Sequence, residues 1–298
     1  MNTLIEKILK KENIQYKNIT KSTSGFTNEV FFVDDNFVIK IVGKTSKSDK
    51  LKKEINFYKN IKLDFVPQYV SSGNLDGLDY LIITKLQGKS LYSVWHILTD
   101  EQRSNCVKQI ANILKKFNTQ KYDFLQPKYV YKNNAERWQK SFVLNIDILK
   151  NRGFEIDFLQ DFLNTKLDQI MSQQKLGLVY NDAHFDNFIL DSDRVYLIDF
   201  DRVLYGSIDY ELLIIEQMLD NPCKFASEVD EPNVDKKDYQ NIHKILKQNY
   251  PEIFDFERIE DRVFVYRFIY NLGNAYEYDR NNWIQNEIDK FKKHFNYV

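Results

Sequence analysis

Three oxygen-bearing side chains stand between short apolar runs in the middle of the chain. Asp182 and Asn187 lie five positions apart, and Asp199 follows 17 positions after Asp182. The apolar runs 188–190 and 195–198 are short enough to be buried strands, so the three side chains are predicted to lie on loops at strand ends. A carboxylate accepts or orients the proton of an attacking hydroxyl, and Mg²⁺ prefers oxygen ligands. Together these residues indicate phosphoryl-transfer chemistry.

A lysine and a glutamate near the N-terminus indicate a site for phosphate groups. Lys40 ends an alternating run that predicts a strand, and Glu54 lies on the following predicted helix. An ion pair between them would hold the ammonium group beside the α- and β-phosphates of a nucleotide.

One glycine stands in the segment that joins the first two predicted strands. Gly25, with Ser24 and Asn28, allows backbone N–H groups to approach phosphates. The alternative interpretation is an ordinary hairpin turn.

The elements that must position these residues fall into two groups. Residues 1–84 alternate between strand-like runs and helical spacing, and residues 85–298 are mostly helical around the block 176–200. Helices are predicted at 46–61, 100–118, 133–149, 155–174, 209–220, 235–248, 256–272 and 281–295, and strands at 18–24, 29–34, 37–42, 68–72 and 78–84. The pattern predicts an α+β fold in two lobes. The N-terminal lobe has a small antiparallel sheet and one helix, the C-terminal lobe is larger and mainly helical, and a ligand cleft lies between them.

Composition excludes several functional classes. The 298 residues carry 42 Lys and Arg against 43 Asp and Glu, which gives no overall argument for nucleic-acid binding. Two distant cysteines and four scattered histidines argue against a disulfide scaffold or a zinc site. Because no signal peptide or apolar run of membrane-spanning length is seen, we expect a cytoplasmic protein that binds no membrane. We also expect it to be a monomer or weak dimer.

Charge is unevenly distributed along the chain. Residues 1–62 carry 13 lysines and seven acids, whereas residues 199–231 carry nine acids and two basic residues. The basic segment suits nucleotide phosphates, and the acidic stretch would attract a cationic acceptor. Asp201, Glu211 and Glu216 are the candidate acceptor-binding residues. The alternative is that these acids decorate exposed helices.

The block 178–201 resembles the catalytic segment of aminoglycoside phosphotransferases and choline kinases, which share a protein-kinase-like fold. The shared pattern is H-G/N-D-x-x-x-x-N followed by I-D-F/W. The resemblance implies that Asp182 is the catalytic aspartate and that Asn187 and Asp199 hold Mg²⁺. It also implies that Asp209 braces the catalytic loop or caps the next helix, and we expect His184 to orient the loop.

Two positions depart from the patterns of these relatives. Tyr180 replaces the family histidine that stands two residues before the aspartate, which affects how the loop is anchored. Asp201 occupies the position of a protein-kinase glycine.

The resemblance extends through residues 18–220 and implies a nucleoside triphosphate, ATP or GTP, as a substrate. Its N-terminal part includes the phosphate-covering turn at Ser24, Gly25 and Asn28, and the Lys40–Glu54 pair. Thr84 and Leu86 are the expected hinge contacts with the nucleotide.

The activity implied is transfer of a γ-phosphoryl group to a hydroxyl of a small, cationic acceptor, as in aminoglycoside phosphotransferases. One alternative is a choline, ethanolamine or sugar kinase, with an aromatic cage for choline. Candidates for such a cage are Tyr266, Phe268, Tyr270, Tyr276, Tyr278 and Trp283, for which core packing is the competing interpretation. The other alternative is a non-catalytic, kinase-like binding protein.

Overall fold

The chain combines an N-terminal antiparallel sheet with a larger helical region. The computed structural model describes residues 2–22, 28–42 and 48–297; Ser24 and Gly25 lie outside the described residues. The strands are β1 (Ile19–Lys21), β2 (Asn28–Val33), β3 (Phe37–Val42), β4 (Tyr69–Leu75), β5 (Leu78–Thr84), β6 (Lys89–Ser90), β7 (Leu176–Val179), β8 (Phe188–Asp191), β9 (Arg194–Leu197) and β10 (Leu204–Ser207). The α-helices are α1 (Asn2–Lys11), α2 (Ser48–Asn60), α3 (Leu91–Val94), α4 (Asp100–Asn118), α5 (Asn134–Asn151), α6 (Asp157–Thr165), α7 (Leu167–Met171), α8 (Leu212–Asp220), α9 (Ile242–Asn249), α10 (Ile259–Glu277) and α11 (Asn281–His294).

The five-stranded sheet has the order β1-β2-β3-β5-β4, with every pair antiparallel. Successive side chains of a strand point to opposite faces. Ile39 and Ile41 of β3 therefore face the side covered by α1, where they share a core with Ile5. Lys40 lies between them and faces the opposite side, where α2 packs against Leu81 and Ile83 of β5.

Helix α2 carries a polar side chain on its buried face. Leu51, Ile55 and Tyr58 repeat at helical spacing and pack into the core. Glu54 stands one position before Ile55 and three after Leu51, so it lies on the same face. This geometry directs Glu54 towards Lys40.

The connection between the sheet and the helical region has a tight backbone approach at Gly88. Its φ of 101° lies in the left-handed region, and a Cβ atom there would lie 2.2 Å from the carbonyl oxygen of Leu190. The next residues, Lys89 and Ser90, pair with β8. Only glycine fits this position without a backbone shift.

Two hydrophobic cores support the helical region. One surrounds α4 and the strands β7 to β9 and extends to α2; the other joins α5, α6, α7, α10 and α11. β7 pairs with β10, and β8 forms a hairpin with β9. The loop between β7 and β8 is therefore held at both ends by strands that pack into the first of these cores.

The predicted α+β fold with two unequal lobes is confirmed. The helix at 100–118 has its predicted bounds, and a capping box formed by Thr99 and Gln102 begins it. The predicted helix at 155–174 is two helices, which meet at Lys166. The division of the chain into lobes at residue 84 stays a prediction. Within the described residues, no helix has both the length and the apolar character needed to span a bilayer.

Candidate active site

Asp182 lies on the loop between β7 and β8, where the chain folds back on itself. The amide of His184 donates to the carbonyl oxygen of Asp182 at 2.8 Å. The side-chain nitrogen of Asn187 donates to that carbonyl oxygen at 2.9 Å and to Oδ2 of Asp182 at 3.1 Å. Asp182 is only 9% exposed. The spacing of five positions thus closes a turn that fixes the carboxylate.

Two basic side chains flank the Asp182 carboxylate. Nε of Arg202 lies 3.6 Å from Oδ1, and Nε2 of His184 lies 3.7 Å from Oδ2. Burial on its own would raise the pKa of Asp182, but His184, Arg202 and Asn187 together hold that pKa below its usual value. The carboxylate is therefore ionised at neutral pH and can accept a hydrogen bond from a hydroxyl.

Asp199 follows β9 and is tied to the catalytic loop through its neighbour Ile198. The amide of Ile198 donates to the carbonyl oxygen of Asn187 at 3.0 Å. The hydroxyl of Tyr180 donates to the carbonyl oxygen of Ile198 at 2.5 Å. Tyr180, which stands where the family has histidine, therefore anchors the loop through its own hydroxyl.

Two residues of this region have left-handed backbone conformations. Asn181 has a φ of 60° and Asp199 a φ of 62°. Asn and Asp tolerate this region better than most residues, and such conformations cluster at functional sites.

Asn187 and Asp199 offer oxygen ligands suited to Mg²⁺. The side-chain nitrogen of Asn187 is engaged by Asp182, which leaves its carbonyl oxygen for a cation. The described residues contain no group of three or more His, Cys, Asp or Glu side chains arranged to hold a metal. Two protein oxygens fit Mg²⁺ bound together with nucleotide phosphates, because that ion retains water and phosphate ligands.

Lys40 bridges the sheet and the loop that carries Asp199. Its Nζ lies 2.7 Å from Oε1 of Glu54 and 3.4 Å from Oδ1 of Asp199. Burial alone would lower the pKa of Lys40, but Asp199 and Glu54 raise it, so the ammonium stays charged. The second carboxylate oxygen of Glu54 is buried and has no hydrogen-bond partner among the residues that the structure describes.

Asn28, Thr84 and Leu86, three further residues predicted to contact the nucleotide, lie at the ends of strands or just beyond them. Asn28 begins β2 opposite Val42. Thr84 ends β5, and its hydroxyl accepts a hydrogen bond from the amide of Gln68 at 2.8 Å. Leu86 lies two residues further on and is half-buried. Their roles, with those of Ser24 and Gly25, stay predictions.

The structure corrects the parts assigned to Glu211 and Asp209. Glu211, predicted to contact the acceptor, has no exposed surface; its carboxylate accepts from the amides of Tyr180 at 2.6 Å and Asn181 at 3.1 Å. Glu211 thus braces the catalytic loop. Asp209, predicted to do so or to cap the next helix, instead contacts Arg262, Ser207 and Tyr266. Burial explains both differences, because each carboxylate takes the nearest interior donors.

The other two candidate acceptor residues have partners. Asp201 is buried, and its Oδ2 lies 3.3 Å from Nζ of Lys50 on α2. Burial and the neighbouring Asp199 raise the pKa of Asp201. Glu216 lies 3.1 Å from the ring of His243. Both side chains therefore make contacts within the chain.

Arg202 was missed as a site residue. It is the first basic residue after Asp199 in a stretch dominated by acids. That isolated positive charge was the available signal, but its contact with Asp182 bridges two separate loops, which sequence spacing does not reveal.

Comparisons with known proteins agree with this geometry. The model of the phosphotransferase enzyme family matches residues 18–222. No curated protein matches the chain. Among solved structures, the gentamicin complex of APH(2'')-IIa superposes with a TM-score of 0.68 at 20% identity, covering 97% of this chain and 95% of that one.

Two further structures are similar over nearly the whole chain. ADP-bound aminoglycoside phosphotransferase APH(2'')-Ib has a TM-score of 0.67 at 19% identity, covering 97% of this chain and 95% of that one. A mutant of APH(4)-Ia with ADP and hygromycin B has a TM-score of 0.64 at 13% identity, covering 96% of each chain. At these identities the likeness shows a shared fold.

Proposed function

Because the chain belongs to the phosphotransferase enzyme family, we propose that it transfers the γ-phosphoryl group of ATP or GTP to a hydroxyl of a small molecule, with Mg²⁺ as cofactor. The observation that carries this proposal is the meeting of Lys40, Asp182, Asn187 and Asp199 in one place, although they come from separate segments. Turn and capping residues would have no reason to converge in this way.

Each of these side chains has a separate task in the transfer. Lys40, held by Glu54, would contact the phosphates next to the nucleoside, and Asn187 and Asp199 would hold Mg²⁺. When bound, the cation would neutralise charge on the β- and γ-phosphates. Asp182 accepts a hydrogen bond from the acceptor hydroxyl and so aims its oxygen at the γ-phosphorus.

The transfer exchanges one phosphorus–oxygen bond for another. The hydroxyl oxygen bonds to the γ-phosphorus, and the bond to the oxygen bridging the β- and γ-phosphates breaks. The nucleoside diphosphate leaves with that bridging oxygen, and the hydroxyl proton passes to Asp182 and then to solvent. The lowered pKa of Asp182 suits orientation of the hydroxyl more than early removal of its proton.

The residues predicted at the hinge do not distinguish ATP from GTP. Thr84 has its hydroxyl engaged by Gln68, so nucleotide recognition there would rely on backbone groups and on the half-buried Leu86. Both nucleotides therefore belong in the assay. ADP and GDP are both named among the ligands of structures with this fold.

The cationic acceptor stays a prediction. In its favour, gentamicin, kanamycin and hygromycin B are named in complexes of proteins with this fold. Two of the side chains predicted for a choline-binding cage, Tyr266 and Phe268, are buried in the second core, which weakens the choline alternative. Tyr278 and Trp283 are exposed, but both lie against the guanidinium group of Arg280.

Release of nucleoside diphosphate, measured with ATP and GTP across aminoglycosides, amino alcohols and sugars, tests the proposal. With an accepted substrate, Asp182→Asn should lower turnover by about 10²–10⁴-fold. Binding of the Mg²⁺-nucleotide, followed by thermal shift, should remain. Asp193→Asn, in the exposed turn of the β8–β9 hairpin, is the matched control.

Two results would contradict the proposal in different ways. Full turnover by Asp182→Asn would remove Asp182 from the mechanism. Failure of the wild type to bind Mg²⁺-nucleotide would favour the non-catalytic, kinase-like alternative.

A further inference from the structure

The acids of residues 199–231 are largely engaged within the chain. Six of the nine have a basic side chain or backbone amides as partners: Asp199 with Lys40, Asp201 with Lys50, Asp209 with Arg262, Glu211 with two amides, Glu216 with His243, and Asp220 with Arg267. Asp230 also accepts from the hydroxyl of Ser227 at 2.7 Å. Partners within the chain therefore offset part of the negative charge of this stretch before an acceptor arrives.

A closed circuit of contacts begins and ends at Asp182. From Asp182, the circuit runs through His184, whose ring stacks on Phe225 with centroids 5.0 Å apart. Lys224 continues it, because its Nζ lies 5.6 Å from the ring centroid of Phe225 and 5.3 Å from that of Tyr270.

Arg202 closes this circuit. Its guanidinium carbon lies 5.6 Å from the ring centroid of Tyr270, and its Nε returns to Asp182 at 3.6 Å. These contacts form a wall beside the catalytic carboxylate that contains two cations, Arg202 and Lys224, with His184 and the rings of Phe225 and Tyr270. Asp201 also acts on the pKa of Arg202, but its carboxylate is paired with Lys50.

The two cations remain available for a ligand. The carboxylate within ion-pair distance of Arg202 is the catalytic one, and Arg202 is one-third exposed. Among the described residues, no carboxylate pairs with Lys224, which contacts the side chain of Gln217. Desolvation and the nearby Arg267 lower the pKa of Lys224. Glu287, an acid that raises that pKa, is already bound by Lys290 and Asn271.

We infer that the acceptor carries an anionic group, a carboxylate or a phosphate, which Arg202 and Lys224 bind while Asp182 holds the acceptor hydroxyl. Charged hydrogen bonds from two cations favour such a group. A polycationic acceptor would meet these same charges at short range and be repelled. This inference rests on the proposed function and names the acceptor class for the same site, where it replaces the cationic acceptor predicted from the sequence.

The competing role for Arg202 is contact with the transferred phosphoryl group alone. Lys224 separates the two roles, because its ring contacts are with Phe225 and Tyr270, whereas Arg202 contacts Asp182 itself. A residue that binds the acceptor affects acceptors according to their charge. A residue that binds only the phosphoryl group affects all acceptors by the same factor.

Four alcohols with the same three-carbon skeleton test the inference. They are 3-amino-1,2-propanediol as the cation, glycerol as the neutral member, and glycerate and glycerol 3-phosphate as the two anions. We expect kcat/KM to be highest for one or both anions, and comparison of the two separates carboxylate from phosphate recognition. Lys224→Met should lower the ratio of kcat/KM for the preferred anion over glycerol by about tenfold. Lys244→Met, an exposed lysine on α9, should leave that ratio unchanged.

Three outcomes would overturn the inference. The first is a preference for the aminodiol, with transfer still dependent on Asp182, which leaves the proposed function intact. The second is a loss in Lys224→Met that is equal for all four alcohols. The third is that neither anion is phosphorylated and that calorimetry detects no binding of either anion to the wild-type protein loaded with a nonhydrolysable nucleotide. Failure to bind any Mg²⁺-nucleotide would instead remove the proposed function itself.

Discussion

Two buried ion pairs, one at the candidate active site and one in the helical region, have similar chemistry but different surroundings. Arg262 and Asp209 lie completely buried, with Nε 2.6 Å from Oδ2. Lys40 and Glu54 are almost as close, at 2.7 Å, and Glu54 is also fully buried. The two pairs differ in how fully their hydrogen-bond donors and acceptors are matched by partners.

The pair in the helical region has its main donors and acceptors engaged. Arg262 also donates to the carbonyl oxygen of Ile170 at 2.7 Å, and Asp209 accepts from Ser207 at 2.5 Å and from Tyr266 at 2.7 Å. A buried ion pair surrounded in this way joins α7, α10 and the segment after β10 into one unit.

The pair at the active site is less complete. Within the described part of the chain, one buried oxygen of Glu54 has no partner, and Lys40 reaches a second carboxylate, Asp199, at 3.4 Å. The ammonium group has three N–H donors and these two carboxylates take two of them, so one donor is left for a phosphate oxygen. Burial is common to both pairs, and the unmatched atoms are what set the pair at the candidate active site apart.

The largest effect should come from the structural pair. Arg262→Met leaves Asp209 buried without its cation, so the free energy of unfolding should fall by about 3–5 kcal/mol. Urea denaturation followed by circular dichroism measures this loss. Turnover per folded molecule should be kept. Lys140→Met breaks only an exposed pair with Glu136 and should cost about 1 kcal/mol or less. A stable Arg262→Met variant with lost turnover would contradict the comparison.

The second effect should fall on catalysis. Lys40→Met removes the phosphate contact, so kcat/KM for the nucleotide should drop by about 10²–10³-fold, equivalent to roughly 3–4 kcal/mol. The free energy of unfolding should change less than for Arg262→Met, because burial already raises the pKa of Glu54 and lets it take up a proton. Steady-state kinetics and urea denaturation measure the two quantities.

Lys52→Met is the control for that variant, since Lys52 is a half-exposed lysine of α2 that lies 3.7 Å from Asp79. It should retain wild-type kinetics. Equal losses of activity in both variants would mean that the position of Lys40 has no special part.

The smallest effect is a pH dependence from Glu211, whose partners among the described residues are two backbone amides and Asn118, with no cation. Burial raises the pKa of Glu211 to about 7 from an ordinary 4.5. Between these values the folded protein binds a proton that the unfolded chain has released, so stability should fall as pH rises from 4.5 to 7. The effect should be on the order of 1–3 kcal/mol.

Glu211→Gln should lack this slope. Urea denaturation of both proteins at several pH values isolates the contribution of the carboxyl group. The same slope in both proteins would show that Glu211 does not titrate in this range.

Much of the candidate site could be predicted because its signals are local. Asp182 and Asn187 share one loop, and Lys40 and Glu54 each lie on the face that their strand or helix spacing requires. The fold could be predicted for a similar reason, since hydrophobic spacing separated the sheet from the helices.

The partners of the acidic residues could not be predicted. Asp209 meets Arg262 across 53 positions, and Glu211 meets Tyr180 across 31 positions. Counting charges along residues 199–231 treated these carboxylates as free, although folding had already matched them. Long-range pairing is set by packing, and no spacing within one segment reports it.

The contacts made by Ile198 also have a consequence for how specificity can change. Its carbonyl oxygen accepts from Tyr180 and its amide donates to the carbonyl oxygen of Asn187. The loop that carries the proposed catalytic residue and the segment before Asp199 are therefore held together within 180–199. The wall formed by Arg202, Lys224 and Tyr270 lies outside that fastened segment. Natural variation or directed evolution can therefore exchange Lys224 and Tyr270 to suit another acceptor while these ties stay in place, whereas a change at Arg202 also alters the surroundings of Asp182.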